Sequence, residues 1–288
     1  MIEDSRHIKL IECPRDAMQG WPFMIPAEKK VAYHQALLKV GFDTIDFGSF
    51  VSPKAIPQMA DTEVVLQQLD LTSSDSKLLA IIANPRGAEA ASRYSSISYL
   101  GFPFSVSETF QLRNTNATIS DSLDRVKEIQ EICQAHQKEL VVYLSMGFGN
   151  PYGDVYNEDL LLQWADKIRQ IGVGIISIAD TVGLATPEQV FQTTAAMIKA
   201  LPDIELGVHL HADATLWRQK LDAAFQAGCN RFDGAINGIG GCPMAGNALV
   251  GNMNTDWMIQ YFTDKNIELH LDITAYDHAR SIANELFS

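Results

Sequence analysis

The sequence predicts an α/β chain folded as one (βα)₈ TIM barrel with a helical extension at its C-terminal end. Three observations lead there. Short apolar runs alternate with longer amphipathic segments, the pattern of parallel strands joined by crossover helices. Eight such runs can be counted along the chain. The length of 288 residues, 47% of them hydrophobic, suits one barrel of roughly 250 residues plus a short extension.

The elements follow in order. His7–Glu12 reads as the first strand, and Ala27–Val40 carries a helical pattern. Thr44–Phe47 and Leu78–Ala83 read as strands, with a short helix near Asp61–Leu69 between them. A helix begins near Pro85, and Ile97–Leu100 is a weak fourth strand. Asp121–His136 is helical, with a cap expected in Ser120-Asp121-Ser122. Leu140–Ser145 and Gly174–Ala179 are strands around a helix at Glu158–Ile171. Pro187–Ala200 is a helix, with Thr186 as cap and Pro at its first position. Glu205–His211 is the seventh strand, and Thr215–Ala227 is a helix stopped by Gly228. Arg231–Ala235 closes the set of strands, Thr255–Phe262 is helical, and residues 267–288 form the helical extension. No linker or low-complexity stretch interrupts the chain, so residues 1–288 are expected to form one domain. A doubly wound sheet is the competing architecture. It usually has fewer strands and a Gly-rich first turn, whereas Cys13-Pro14-Arg15-Asp16-Ala17-Met18-Gln19 is polar and charged.

The formal net charge is -13, and no dense Lys/Arg run offsets it. This argues against nucleic acid or an anionic membrane as partner. It also leaves an anionic substrate to a few individual cations. The four cysteines, Cys13, Cys133, Cys229 and Cys242, form no C-x-x-C pair and no disulfide framework. The opening residues lack an apolar signal region, and no run approaches the roughly 18 apolar residues of a membrane span. A reduced, cytoplasmic protein is expected.

In such barrels the chemistry gathers at the C-terminal ends of the strands. The polar residues expected there are Arg15 and Asp16, then Asp46, Ser49 and Lys54. Ser107, Glu108, Arg113, Ser145, Asn150, Asp180, Thr181, His209 and His211 follow. Val208-His209-Leu210-His211 is the most specific local signal. Residues two apart on a strand share a face, so both imidazoles can take one cation while Leu210 packs outward. Two satisfied core histidines are the plain alternative. Asp16 can add an oxygen. A mixed nitrogen and oxygen set with open positions suits Mg²⁺, Mn²⁺ or Zn²⁺, and the ligand types do not decide among them. Arg15-Asp16 also reads as an ordinary surface turn. At a strand end facing a cation, Arg15 becomes a clamp for a carboxylate or an enolate oxygen. Cys242 in Gly238-Ile239-Gly240-Gly241-Cys242-Pro243 is either a small buried residue or a thiol brought over the substrate. Asp180-Thr181 either orients a ligand from behind or caps its own loop.

These segments resemble the 3-hydroxy-3-methylglutaryl-CoA lyases. Ile11–Gln19 looks like that family's opening motif, and Ser49-Phe50-Val51-Ser52-Pro53-Lys54 with Pro57-Gln58-Met59 is similar to its second strand and loop. Asp180-Thr181-Val182-Gly183, the His-x-His segment, Gly240-Gly241-Cys242-Pro243-Met244-Ala245 and Gly251-Asn252 also match, in order, from about residue 8 to 265. The resemblance implies that Asp16, His209, His211 and Asn252 hold a divalent cation. It implies Arg15 at the enolate of the leaving acetyl-CoA and Cys242 in proton transfer. Asp16, Asp46 and His209 complete the expected catalytic set, and Arg15, Gln19, Ser49 and Lys54 the expected substrate contacts.

Three departures stand out. Asp46 occupies the place of a family Glu, Ala212-Asp213 replaces Asp-Thr, and the stretch from Cys242 to Asn252 is one residue longer. The implied reaction is cleavage of 3-hydroxy-3-methylglutaryl-CoA to acetyl-CoA and acetoacetate. A related 3-hydroxy acyl-CoA or hydroxy acid is the alternative substrate. A condensing synthase and a non-catalytic acyl-CoA-binding barrel are less favoured. An acyl-CoA is thus the expected partner. Barrels of this kind often pair as homodimers, although no segment here marks an interface.

Overall fold

A computed structural model describes residues 6–241 and 250–288. The predicted site residue Cys242 and its neighbours through residue 249 lie outside the described residues. Eight strands close into a parallel barrel in chain order. They are β1 (Lys9–Glu12), β2 (Thr44–Ser49), β3 (Lys77–Ile81), β4 (Ile97–Ser105), β5 (Glu139–Ser145), β6 (Ile175–Ala179), β7 (Glu205–His209) and β8 (Arg231–Gly234). The first helices are α1 (Pro14–Gln19), α2 (Ala27–Leu37), α3 (Thr62–Leu66), α4 (Pro85–Ser92), α5 (Glu108–Thr115) and α6 (Ile119–Ala135). Then come α7 (Glu158–Gln170), α8 (Pro187–Ala200), α9 (Trp217–Gln226), α10 (Thr255–Asp264) and α11 (Ile273–Leu286). The last is the expected extension. It packs on α2, burying Tyr276, Ala279 and Ala283.

The period-two alternation of the strands divides the core in two. Leu79, Ile81, Tyr99, Val141 and Ile175 fill the barrel interior. Leu78, Ala80, Leu100, Val142, Ile176 and Val208 face the helix layer. Arg231 lies fully buried at the N-terminal end of the interior. It bonds Glu205 at 3.1 Å, and Glu205 also takes Lys9 at 2.6 Å. That end is therefore stitched by charge, and the opposite end is left to the cavity.

Four expectations need correction. The turn after β1 is a helix, α1, opened by Pro14 with Asp16 in its first turn. α6 is capped by Thr118 with Asp121 in a reciprocal capping box, two residues before the expected cap. β4 runs on to Ser105. A side chain at its Gly101 would strike Ile81 and crowd Tyr143. β7 ends at His209, and His211 lies just past it, bridged to Asn252.

Candidate active site

β7 delivers His209 at its last position, and the chain then extends through Leu210 to His211. Leu210 packs into the outer cluster, so the two imidazoles share the inner side, as their spacing predicts. Their Nε2 atoms lie 3.4 Å apart. Behind them the supports differ. Nδ1 of His209 meets Oδ2 of Asp233 at 3.2 Å. The backbone carbonyl of His211 accepts from Nζ of Lys220 at 2.9 Å. That buried ammonium also donates to Asp180 Oδ2 at 2.7 Å and to Gly183 O at 3.2 Å. Asp180 uses its other oxygen to accept from Ala185 N–H at 3.1 Å. It thus caps its own loop and steadies His211, which joins the two roles left open by the sequence.

α1 sets Arg15 and Asp16 one residue apart beside the histidines. Arg15 is a hub. Its Nε donates to both Asp46 oxygens, at 3.2 and 3.0 Å, and Nη2 donates to Oδ2 as well. Its Nη1 donates to Asp16 Oδ1 at 2.9 Å and to Gln19 Oε1 at 2.8 Å. A guanidinium has five N–H groups, so one Nη2–H remains for an oxygen in the cavity. Asp16 Oδ2 accepts from Asn252 Nδ2 at 2.7 Å, and the same amide donates to Ile239 O at 2.9 Å. The Asn252 Oδ1 is buried and has no hydrogen-bond partner among the described residues. Gly240 lies against this pair at φ 108°, where a side chain would drive into the Asn252 amide and Asp16.

The electrostatics follow from this packing. Burial alone would raise the Asp16 carboxyl, but Arg15, His209 and the Asn252 amide outweigh it and hold it at about 2. Burial dominates at Asp46 and pushes its carboxyl up to about 6 despite Arg15. Burial would lower His209, yet the bond and charge of Asp233, with Asp16, raise it. His211 has no such carboxylate, and burial followed by the nearby His209 lowers it to about 3. An easily deprotonated carboxyl and a neutral imidazole are what a cation site requires.

A divalent cation fits this donor set. Two ring nitrogens 3.4 Å apart are close enough for one ion to reach both at ordinary metal–nitrogen distances of roughly 2.1 Å. The buried Asn252 Oδ1, which has no partner among the described residues, is an oxygen donor that a cation could use. A second grouping, Cys13, His209 and Asp233, has ligand atoms within 4.8 Å of one another. It is the poorer site. Burial and four surrounding carboxylates, led by Asp233, push the Cys13 thiol well up, and thiolate is the binding form.

The cavity above these groups measures about 160 Å³. Arg15, Asp16, Gln19, Asp46, His209 and His211 line its polar side. Val51, Ile56, Ile81, Pro103 and Phe110 form an apolar wall, with Asn114, Thr115, Tyr143 and Ser145 between. Ser49 and Lys54 do not line it. The Ser49 hydroxyl accepts from Val51 N–H at 3.2 Å, which shapes the turn, and Lys54 is exposed on the following loop. Asn150 likewise caps its own loop at Tyr152.

Four contributors escape sequence reasoning. Asp233 stands opposite His209 in the β7–β8 register, two positions beyond Arg231 on the inner face. Lys220 lies on α9, well past the histidines. Asn114 and Thr115 come from α5, where the sequence singles out Ser107, Glu108 and Arg113 but neither of these two; the Ser107 side chain caps the helix by accepting from Phe110 N–H.

Comparison with known proteins bears on the fold and the family. The chain is 30% identical to a 3-hydroxy-3-isohexenylglutaryl-CoA/hydroxy-methylglutaryl-CoA lyase of Pseudomonas aeruginosa, over 94% of this chain and 89% of that one. It is 28% identical to an (R)-citramalyl-CoA lyase of Chloroflexus aurantiacus, over 91% of this chain and 85% of that one. It superposes with a TM-score of 0.91 on an HMG-CoA lyase of Acinetobacter baumannii solved with coenzyme A and 3-methylmalate. That match has 30% identity and covers 100% of this chain and 93% of the other. The HMGL-like family model matches residues 8–281. This chain therefore belongs to the HMGL-like family and is a carbon–carbon lyase.

Proposed function

We propose that this lyase cleaves 3-hydroxy-3-methylglutaryl-CoA to acetyl-CoA and acetoacetate with a divalent cation held by Asp16, His209, His211 and Asn252. The observation that carries the reading is the pair of Nε2 atoms 3.4 Å apart, beside Asp16 and the buried Asn252 Oδ1. When bound there, the cation would supply Lewis-acid chemistry that lowers the pKa of the substrate 3-hydroxyl.

The chain's own residues do the rest. The proton leaves the 3-hydroxyl, its electron pair forms the ketone, the C2–C3 bond breaks, and the pair from that bond enters the thioester as an enolate. The free Nη2–H of Arg15 faces the developing oxyanion, and Asp46 holds the guanidinium planar and in place. His209 serves as a ligand rather than as the base, since Nε2 and Nδ1 are both engaged. Asp46, pushed up to about 6, is the cavity-lining carboxylate among the described residues able to exchange a proton close to neutrality. Protonation at C2 then gives acetyl-CoA, and Cys242 remains the expected donor.

Asp46 also favours a second reading. It is one methylene shorter than Glu, which alters the room beside Arg15 for the substrate acid. Citramalyl-CoA carries its free carboxylate one methylene closer to the hydroxyl-bearing carbon than 3-hydroxy-3-methylglutaryl-CoA does. An assay of both thioesters under the same Mg²⁺ or Mn²⁺ conditions decides. A kcat/KM at least about tenfold higher for the first supports the proposal, and the reverse ratio assigns the shorter substrate.

A further inference from the structure

Residues 251–255 lie across the ends of two strands. On one side, Ala212 N–H donates to Gly251 O at 3.2 Å and Met253 N–H to Leu210 O at 2.9 Å. On the other, Ala235 N–H donates to Met253 O at 3.0 Å and Thr255 N–H to Ala235 O at 3.1 Å. Asn252 sits in the middle of this piece. Its side chain depends on the path of the backbone at both Asn252 and Ile239, since it donates to Ile239 O.

Glu12 reaches both flanks. It is the last residue of β1 and faces away from the cavity, into the layer beneath α10. Its side chain is fully buried. Oε1 accepts from Ile236 N–H at 2.8 Å, and Oε2 accepts from the Thr255 hydroxyl at 2.6 Å. Ile236 opens the turn that leads to Ile239, and Thr255 opens α10 three residues beyond Asn252. The same strand continues into α1 with Arg15 and Asp16. One carboxyl therefore ties the segment carrying Asn252 to the segment carrying Asp16, although it touches neither residue.

We propose that Glu12 is a positioning residue that sets Asn252 and Ile239 against Asp16, and so sets the affinity of the cation site from outside the cavity. The inference rests on the reading of Asn252 as a ligand. A core role alone would also need a buried group here. It would not need both oxygens on the two flanks of one ligand-bearing segment.

The test uses the full chain, with Mn²⁺ as the probe and free Mn²⁺ read by electron paramagnetic resonance. Amide hydrogen exchange at residues 235–239 and 251–255 is followed in parallel. Glu12→Gln keeps one oxygen acceptor for Ile236 N–H and an amide that donates to the Thr255 hydroxyl. It is expected to bind Mn²⁺ within about threefold of wild type. Glu12→Ala and Thr255→Val are expected to weaken Mn²⁺ by about tenfold or more and to lose exchange protection in both segments, with cooperative unfolding retained. If Glu12→Ala does not fold, Thr255→Val against Thr255→Ser carries the same comparison, with Ser expected to rescue. Wild-type affinity and protection in Thr255→Val would overturn the proposal while leaving the cation site standing. A wild-type protein that binds no Mn²⁺ would overturn the cation reading itself and this inference with it.

Discussion

Nδ1 of His209 lies 3.2 Å from Oδ2 of Asp233, a carboxylate wholly inside the barrel. The contact fixes the ring so that Nε2 points toward His211, and it raises the basicity of the imidazole. A ligand imidazole backed by a carboxylate is both oriented and strengthened. Asp233→Asn keeps the shape and removes the charge. It is expected to weaken divalent-cation affinity and kcat by about 10- to 100-fold, with little change in thermal midpoint. Calorimetric titration with Mn²⁺, alongside steady-state kinetics, checks this. Unchanged affinity would reduce Asp233 to a packing residue.

Arg15 meets Asp46 through two nitrogens, a geometry that the point charge of lysine cannot reproduce. Arg15→Lys is therefore expected to lower kcat by about 10²- to 10³-fold while KM moves only a few-fold. The split matters, because a residue that only attracts the acyl-CoA anion would show its loss mainly in KM. Initial-rate measurements over a range of substrate concentrations separate the two.

Much of this site was legible in the sequence. His-x-His at a strand end needs only the period of two. Arg15 and Asp16 were visible as a charged turn, but six residues opened by Pro14 are too few to show a helical period. Asn252 could be reached through resemblance alone, because nothing local marks it. Asp233 was not legible at all. An acid two residues after Arg231 looks like a solvated strand end until the barrel closes and the β7–β8 register sets it against His209. Lys220 and Glu12 share this property. Each is a charged residue in an amphipathic or apolar stretch with a side-chain partner 40 or more positions away, Asp180 for Lys220 and Thr255 for Glu12. The barrel itself was legible because every strand is flanked by turn residues and followed by helical spacing.

Lys220 and Asp180 form a buried pair, with side chains 2% and 1% exposed. Lys220→Met removes the ammonium and leaves Asp180 buried and unpaired. A loss of roughly 3–5 kcal/mol in unfolding free energy is expected. Pairing it with Asp180→Leu should recover most of that loss, since the double variant leaves no orphaned charge. Urea denaturation of the single and double variants tests the coupling.

Glu12 predicts a stability profile with pH. Burial, only partly offset by Thr255 and Ile236, raises its carboxyl from 4.5 to about 8. The folded state then binds a proton that the unfolded chain releases between these values. The associated stability is fully present below about 4.5 and is lost as pH rises through about 8. The loss is on the order of 5 kcal/mol. Glu12→Gln, which cannot ionise, should lack this component, so its stability relative to wild type should improve steadily from pH 5 to 8. Parallel slopes for the two proteins over that window would contradict the burial argument.

The most direct measurement is acetoacetate release from 3-hydroxy-3-methylglutaryl-CoA by protein stripped with chelator and then reloaded with Mg²⁺ or Mn²⁺. Turnover is expected in the reloaded wild type. The stripped protein and His209→Ala, with one of the two facing ring nitrogens gone, should be slower by about 10³-fold or more. Equal rates in reloaded wild type and His209→Ala, or full activity in the stripped protein, would contradict the account.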